Sequence, residues 1–253
     1  QTITNLTKEQ IIKICDRKFI GCDQLILIKK NDISDASLEF YNSDGGMSGA
    51  CGNGTRCIAD LLGKENNKKE IVLTTLSGKL KSNIVGEKIV STEIGIAKTK
   101  WDEIPLSKEL NTNNLGIKIF DKNNNEFSGG TAVNVGNPHI IFFVDNNENF
   151  EIKKIGPEIE NHSLFPEKCN VTLATVVNKA LVKVRVWERG AGLTKACGTA
   201  ACATAFAAKQ NRLVNDKVDI EFSTGRLNIS IDENNSIHMK GPVSDIEEIN
   251  FKI

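Results

Sequence analysis

The chain contains two copies of one pattern. Ala50-Cys51-Gly52-Asn53-Gly54-Thr55-Arg56-Cys57 matches Ala196-Cys197-Gly198-Thr199-Ala200-Ala201-Cys202, and the leading cysteines stand 197 − 51 = 146 positions apart. The same shift lays Phe19 on Phe165, Gln24 on Asn170 and Asn42 on Glu188. A shift of 147 lays Ser77-Gly78-Lys79-Leu80 on Thr224-Gly225-Arg226-Leu227, a hairpin turn in both places. Two copies are too few for a solenoid. They predict two homologous halves related by a pseudo-two-fold axis: residues 1–115 with Cys51 and 116–253 with Cys197, the last strand or strands crossing over.

Each copy reads as helix, strand, strand, helix, hairpin. Thr7–Lys18 has Ile11, Ile12 and Ile14 among charged residues, an amphipathic helix capped by Thr7 or Asn5. Gln24–Lys30 and Leu38–Tyr41 alternate as strands, Gly52–Leu62 is the second helix, and Ile71–Leu76 with Lys79–Val85 form the hairpin. The matching pieces are Phe150–Glu160, Val171–Val177, Leu181–Glu188, Gly198–Gln210, Val218–Phe222 and Leu227–Ile231. Helix 198–210 is so rich in alanine that it suits burial on all sides, wrapped closely by sheet. The order is that of an α+β fold, not alternating βαβ. One piece has no counterpart. The second copy opens with Thr131–Val135, the turn Gly136-Asn137-Pro138-His139 and Ile140–Val144, which shifted back by 146 falls before Gln1. The first half is therefore expected to lack its opening strand.

Composition narrows the chemistry. With 253 residues, 40% of them hydrophobic, the chain can build real cores. Lys+Arg and Asp+Glu are both 32, so no basic field invites nucleic acid. No apolar run reaches the ~18 residues of a membrane span, and no signal-peptide pattern opens the sequence. Seven cysteines, an odd number, read as reduced thiols in a cytoplasmic protein. Asn161-His162-Ser163 fits a glycosylation pattern that has no meaning there, and the Asn- and Lys-rich turns read as solvated loops.

Cys51 and Cys197 each sit against a glycine where a helix should begin. Free helix N–H groups and the positive end of the dipole stabilise a thiolate at such a place. Two equivalent thiols suit a reaction that needs one base and one acid on opposite faces of a carbon, which is stereoinversion, with the sulfurs facing one another across a single tetrahedral centre. Cys15, Cys22 and Cys169 read as small buried hydrophobes, and Cys57 and Cys202 as core-facing. The spacings C-x5-C and C-x4-C do not suit zinc. The Gly-rich segment Gly45–Gly49 lacks the endings of nucleotide loops. The helix starts Gly52-Asn53 and Gly198-Thr199 suit a substrate carboxylate, because helix N–H groups bind anions without side-chain charge. Such a site needs no metal. Glu188 and Arg189, ending an apolar strand before Cys197, and His139 in its Gly-Asn-Pro turn are the remaining polar candidates.

Together these stretches, with Asn42-Ser43-Asp44-Gly45 and Glu188-Arg189-Gly190-Ala191-Gly192, resemble diaminopimelate epimerase over nearly the whole chain. The resemblance implies a pyridoxal-independent enzyme interconverting LL- and meso-2,6-diaminoheptanedioate. It also implies two pseudo-symmetric halves, each a mixed sheet wrapped around a central helix, usually a homodimer. By position, Cys51 and Cys197 are the acid/base pair, and Gly52, Asn53, Gly198 and Thr199 hold the reacting end of the substrate. Asn42, Asn137, Asn170 and Arg189 read the distal amino acid, Arg189 by a bidentate carboxylate contact. Glu188 takes the reacting ammonium and, with His139, helps set thiol ionisation; Gln24 matches a position near the site. The chain departs from the family in Leu193-Thr194-Lys195, where Glu-Thr is more usual, and in having no Gly-x-Gly-Asn-Asp-Phe segment before Gln1. The natural protein is therefore expected to be longer and the 253-residue form weakly active or inactive. The alternatives are a proline or hydroxyproline racemase-type enzyme, which typically carries Cys-Gly-His at the first thiol, and a non-catalytic amino-acid-binding or redox module.

Overall fold

A computed structural model describes residues 5–49, 51–76 and 78–251, so Ala50 of the first cysteine motif and Ser77 of the first hairpin turn lie outside the described residues. By its contacts the chain forms two units, Gln1–Glu93 with Gly241–Ile253, and Ile94–Lys240. The first opens with α1 (Lys8–Cys15), started by a reciprocal cap: Thr7 Oγ1 accepts the Gln10 N–H and Gln10 Oε1 accepts the Thr7 N–H. There follow β1 (Gln24–Lys29), β2 (Ala36–Asn42), β3 (Met47–Ser48), α2 (Gly52–Asn66), β4 (Glu70–Thr75), β5 (Gly78–Gly86) and β6 (Ile89–Ile96). The strand order is β1-β2-β4-β5-β6, with β3 beside β2. Alternate residues of β2 and β4, such as Leu38, Phe40, Ile71 and Leu73, are buried with Ala59 and Leu62 of α2. Period two in the strands meets period 3.6 in the helix, and that match makes the core.

The second unit contains β7 (Ile117–Phe120), β8 (Glu126–Gly129), β9 (Thr131–Asn134), β10 (Pro138–Phe143), α3 (Ile152–Glu160), β11 (Asn170–Asn178) and β12 (Leu181–Glu188). It continues with β13 (Gly192–Thr194), α4 (Gly198–Gln210), β14 (Lys217–Phe222), β15 (Gly225–Ile231) and β16 (Ser236–Pro242). The order is β16-β15-β14-β12-β11-β10-β9, with β13 beside β12 and β7–β8 a separate hairpin. Helix α4 packs against β9, β10, β11, β14 and β15, and Ala200, Ala201, Cys202, Ala203, Ala205, Ala207 and Ala208 are all buried. Small side chains on every face let the sheet close around it.

The strand ladders carry the duplication at residue resolution. Gln24 faces Asn42 in β1–β2; 146 positions on are Asn170 and Glu188, immediately before and after the facing pair Val171 and Trp187. Glu70 faces Asn83 in β4–β5; 147 positions on, Lys217 faces Ser230. The hairpin glycines Gly78 and Gly225 have φ of 118° and 149°, a region that favours glycine. The two copies differ in one pairing. Strand β11 pairs in parallel with β10, whereas among the described residues β1 pairs only with β2.

Some features depart from the sequence reading. Strands β3, β6, β7, β8, β13 and β16 have no counterpart among the segments read from the sequence. Residues 94–115, assigned by sequence to the first half, belong to the second unit, because Ile104 and Leu106 bury themselves with Ile140, Phe142 and Ile152. Residues 241–253 belong to the first, where Val243 joins the α2 cluster.

Gly63 in α2 gives a test of this packing. A Cβ there would meet Ile84 Cδ1 at 2.1 Å and the Lys68 carbonyl oxygen at 2.8 Å. Ile84 can turn aside; the backbone oxygen cannot. Although alanine favours helix over glycine by about 1 kcal/mol, Gly63→Ala is expected to lower unfolding free energy by about 1–3 kcal/mol in urea denaturation. A stabilised variant would contradict the packing.

Candidate active site

Cys51 and Cys197 are the N-cap residues of α2 and α4, with φ/ψ of −140°/106° and −141°/117°. An N-cap is extended, and its side chain lies over the first helical turn, whose N–H groups lack partners within the helix. Ser, Thr, Asp and Asn are the usual occupants. Here sulfur takes their place in both units, in nearly the same backbone conformation. Cys51 Sγ accepts a hydrogen bond from the Gly54 N–H at 3.3 Å. Cys197 Sγ lies 3.4 Å from the Thr199 hydroxyl.

The helix ends do not win the contest over ionisation. Burial is the largest influence on each sulfur and pushes both thiols above their ordinary range. At Cys51 it is opposed by the N–H groups of Gly54 and Asn53 and by the Arg56 guanidinium. At Cys197 the Glu188 carboxylate adds to burial, both by its charge and by accepting a hydrogen bond from the neutral thiol; the Thr199 hydroxyl and the Ala200 N–H oppose it. The helix N–H groups favour the thiolate as expected from sequence, but burial outweighs them at both sulfurs. Of the two, the half-buried Cys51, with a cation beside it, loses its proton more readily.

The other sequence candidates fall into place within their own units. Gln24 Nε2 donates to Asn42 Oδ1 at 3.0 Å across β1–β2, and Asn53 Oδ1 accepts from Arg56 Nη2 at 3.0 Å. Gly52 is half-buried and Gly198 buried, each the first residue of its helix. Asn170 is buried and spends its amide on the backbone: Nδ2 donates to the Pro138 carbonyl and Oδ1 accepts from the Arg189 N–H, both at 3.0 Å. Arg189 is exposed, with Nη1 donating to the Glu167 carbonyl at 2.7 Å. His139 is fully buried, its Nε2 2.8 Å from Asn137 Oδ1. A carbonyl oxygen only accepts, which puts the ring proton on Nε2. Burial, with Arg189 nearby, pushes the imidazole down to about 3, so His139 acts as a neutral ring.

Sequence reasoning missed Arg56, although its place one turn beyond Cys51 on α2 was the available signal. Among the other cysteines, Cys15, Cys169 and Cys202 are buried and Cys57 packs against the α2 core as expected, while Cys22 is half-buried, less interior than expected. Cys22 Sγ donates to Cys15 Sγ at 3.4 Å. Among the described residues no three His, Cys, Asp or Glu side chains group as a metal site would require, and no helix is long and apolar enough to cross a membrane.

Comparison with known proteins gives this arrangement a family. The profile of the family described as Diaminopimelate epimerase matches residues 1–100 and 131–246. The diaminopimelate epimerase of Pelagibacter ubique is 70% identical over 249 residues, covering 98% of this chain and 91% of that protein. The chain belongs to the diaminopimelate epimerase family. Its relative from Phenylobacterium zucineum is 41% identical over 239 residues, 94% of this chain and 86% of that protein. Two solved structures share the fold at low identity. A hydroxyproline epimerase from Agrobacterium vitis with bound trans-4-hydroxy-L-proline has a TM-score of 0.65 at 14% identity, over 92% of this chain and 76% of that one. A PhzF-family phenazine biosynthesis protein from Bacillus anthracis has a TM-score of 0.65 at 15% identity, over 97% and 90%.

Two pH dependences follow. Alkylation of Cys51 and Cys197, mapped by mass spectrometry in the substrate-free epimerase, should inflect above the ordinary thiol value of about 8.5, with Cys51 below Cys197. Inflections below that value would contradict the dominance of burial. His139 has a folded pKa below its unfolded one, so below about 6.5 the unfolded chain takes up a proton that the native ring refuses. Stability should fall with decreasing pH from about 6.5, by up to about 1.4 kcal/mol per unit. His139→Gln should flatten the slope between pH 6.5 and 5, before the carboxylates titrate. An unchanged slope would contradict the neutral, buried ring.

Proposed function

We propose that this protein interconverts LL- and meso-2,6-diaminoheptanedioate, a step serving lysine and peptidoglycan synthesis, by two-thiol acid–base catalysis with no pyridoxal cofactor. The observation that carries the reading is the pair of cysteine N-caps, one per unit, in like backbone conformations. The α-proton beside a carboxylate is a very weak acid, so the base must combine high proton affinity with close approach in a dry place. Burial supplies the proton affinity. A thiolate formed against that burial is a stronger base than one in water, and helix N–H groups neutralise the carboxylate as negative charge develops beyond it. In this reading Cys51, which gives up its proton more readily than Cys197, becomes the thiolate when substrate binds and Cys197 is the acid, and one turnover exchanges their states.

The residues around the thiols are read accordingly. Gly52, Asn53, Gly198 and Thr199 receive the reacting carboxylate. Glu188 takes the reacting ammonium, whose positive charge offsets the push that this carboxylate exerts on Cys197. Arg189 pairs with the distal carboxylate, with Asn42, Asn137 and Asn170 around the distal amino acid, Gln24 behind Asn42 and His139 behind Asn137. Proline offers no second carboxylate, and Cys51-Gly52-Asn53 departs from the Cys-Gly-His of racemases acting on it. The same reading makes the enzyme a cytoplasmic homodimer.

Made separately in the whole protein, Cys51→Ser and Cys197→Ser should each lower kcat for LL-diaminoheptanedioate by about 10²–10⁴-fold, and the unsubstituted whole protein should turn over this substrate and leave L-proline untouched. A single variant with near-parental turnover, or comparable turnover of proline, would contradict the proposal.

A further inference from the structure

Helix α3 ends in a carboxylate that its position does not favour. Glu160 is its last residue, where the dipole disfavours negative charge, and its side chain is 8% exposed. Glutamate is rarely buried unless its oxygens are engaged. Both are. Oε2 accepts the Trp187 indole N–H at 2.7 Å and Oε1 accepts the Gly190 backbone N–H at 3.0 Å. Trp187 and Gly190 bracket Glu188 and Arg189.

These four residues, 187–190, enter a turn closed by the Ala191 N–H donating to the Glu188 carbonyl at 3.0 Å, with Gly190 at φ 75°. Such a turn leaves the N–H groups of its two central residues without partners in the turn. Asn170 Oδ1 receives the Arg189 N–H and Glu160 receives that of Gly190. The indole is placed for its own bond by Gly156, where a Cβ would stand 2.3 Å from Trp187 Cγ.

We propose that Glu160 is a positioning residue that holds the Glu188–Arg189 turn in the conformation the reaction uses. The proposal rests on reading Glu188 and Arg189 as substrate contacts. Both partners of Glu160 are N–H donors, so the position demands a side chain that only accepts, at two oxygens. Glutamine is nearly the same shape but presents one oxygen and one NH₂, and in either orientation sets a donor against a donor in a buried place. Lys168 Nζ, at 4.0 Å, is too far to replace either bond.

The test measures steady-state kinetics for LL-diaminoheptanedioate in the whole protein, with melting temperature as a control on folding. Glu160→Gln should raise KM about tenfold, the coupling typical of one hydrogen-bond network, with a smaller change in kcat. Adding Trp187→Phe removes the indole donor, lets the glutamine oxygen serve Gly190, and should recover most of the loss. In an Arg189→Ala background, Glu160→Gln should add little further. A Glu160→Gln variant with parental KM, no recovery with Trp187→Phe, or losses additive with Arg189→Ala would each overturn the positioning role. Arg189→Ala leaving KM unchanged would instead overturn the reading of Arg189 on which the inference rests.

Discussion

A cysteine at a helix N-cap sets two physical effects against each other, and the chemistry assigned to this protein depends on how they balance. The cap position aims sulfur at N–H groups and at the positive end of the helix, which favours a thiolate. Packing the same sulfur against sheet and helix removes water, which favours the thiol. The second effect is larger at both Cys51 and Cys197. Net burial does not disable an acid–base pair. It holds the proton on the acid and makes the thiolate, once formed, basic enough for a weak carbon acid.

The duplicated scaffold supports unequal surroundings. The cross-strand pair Gln24–Asn42 is neutral, whereas residues 170 and 188, its counterparts by the 146-residue shift, are an amide and a carboxylate. Cys51 has Arg56 near it and Cys197 has Glu188. Two like backbones thus place their sulfurs beside different charged neighbours. A reaction that starts with one proton on two thiols uses such a difference to decide where the proton rests.

Much of this was legible in the sequence because the repeat reports register directly. Strand β12 and helix α4 have the bounds read from the apolar runs, and both cysteines fall at the predicted helix starts. Strands β3 and β13, two and three residues long, are too short for any alternation to register. Residues 97–115 form no named helix or strand, so no period marks them, and only their packing reveals that Ile104 and Leu106 belong with the second unit. The larger, opposing effect of burial on the thiols was hidden for a similar reason. Dipole and N–H groups are local and follow from position in a helix, while burial depends on residues distant in sequence. The buried carboxylate of Glu160 was equally hidden, since a glutamate ending an amphipathic helix reads as surface.

The most direct test of the two-thiol account is isotopic. LL-diaminoheptanedioate is incubated with the protein in deuterium oxide, and substrate and product are separated at low conversion. The account predicts one deuterium at the inverted carbon of the meso product and none in recovered substrate, because the cysteine that removes the proton is not the one that delivers its replacement. Deuterium entering recovered substrate as fast as product, or product formed without label, would contradict it.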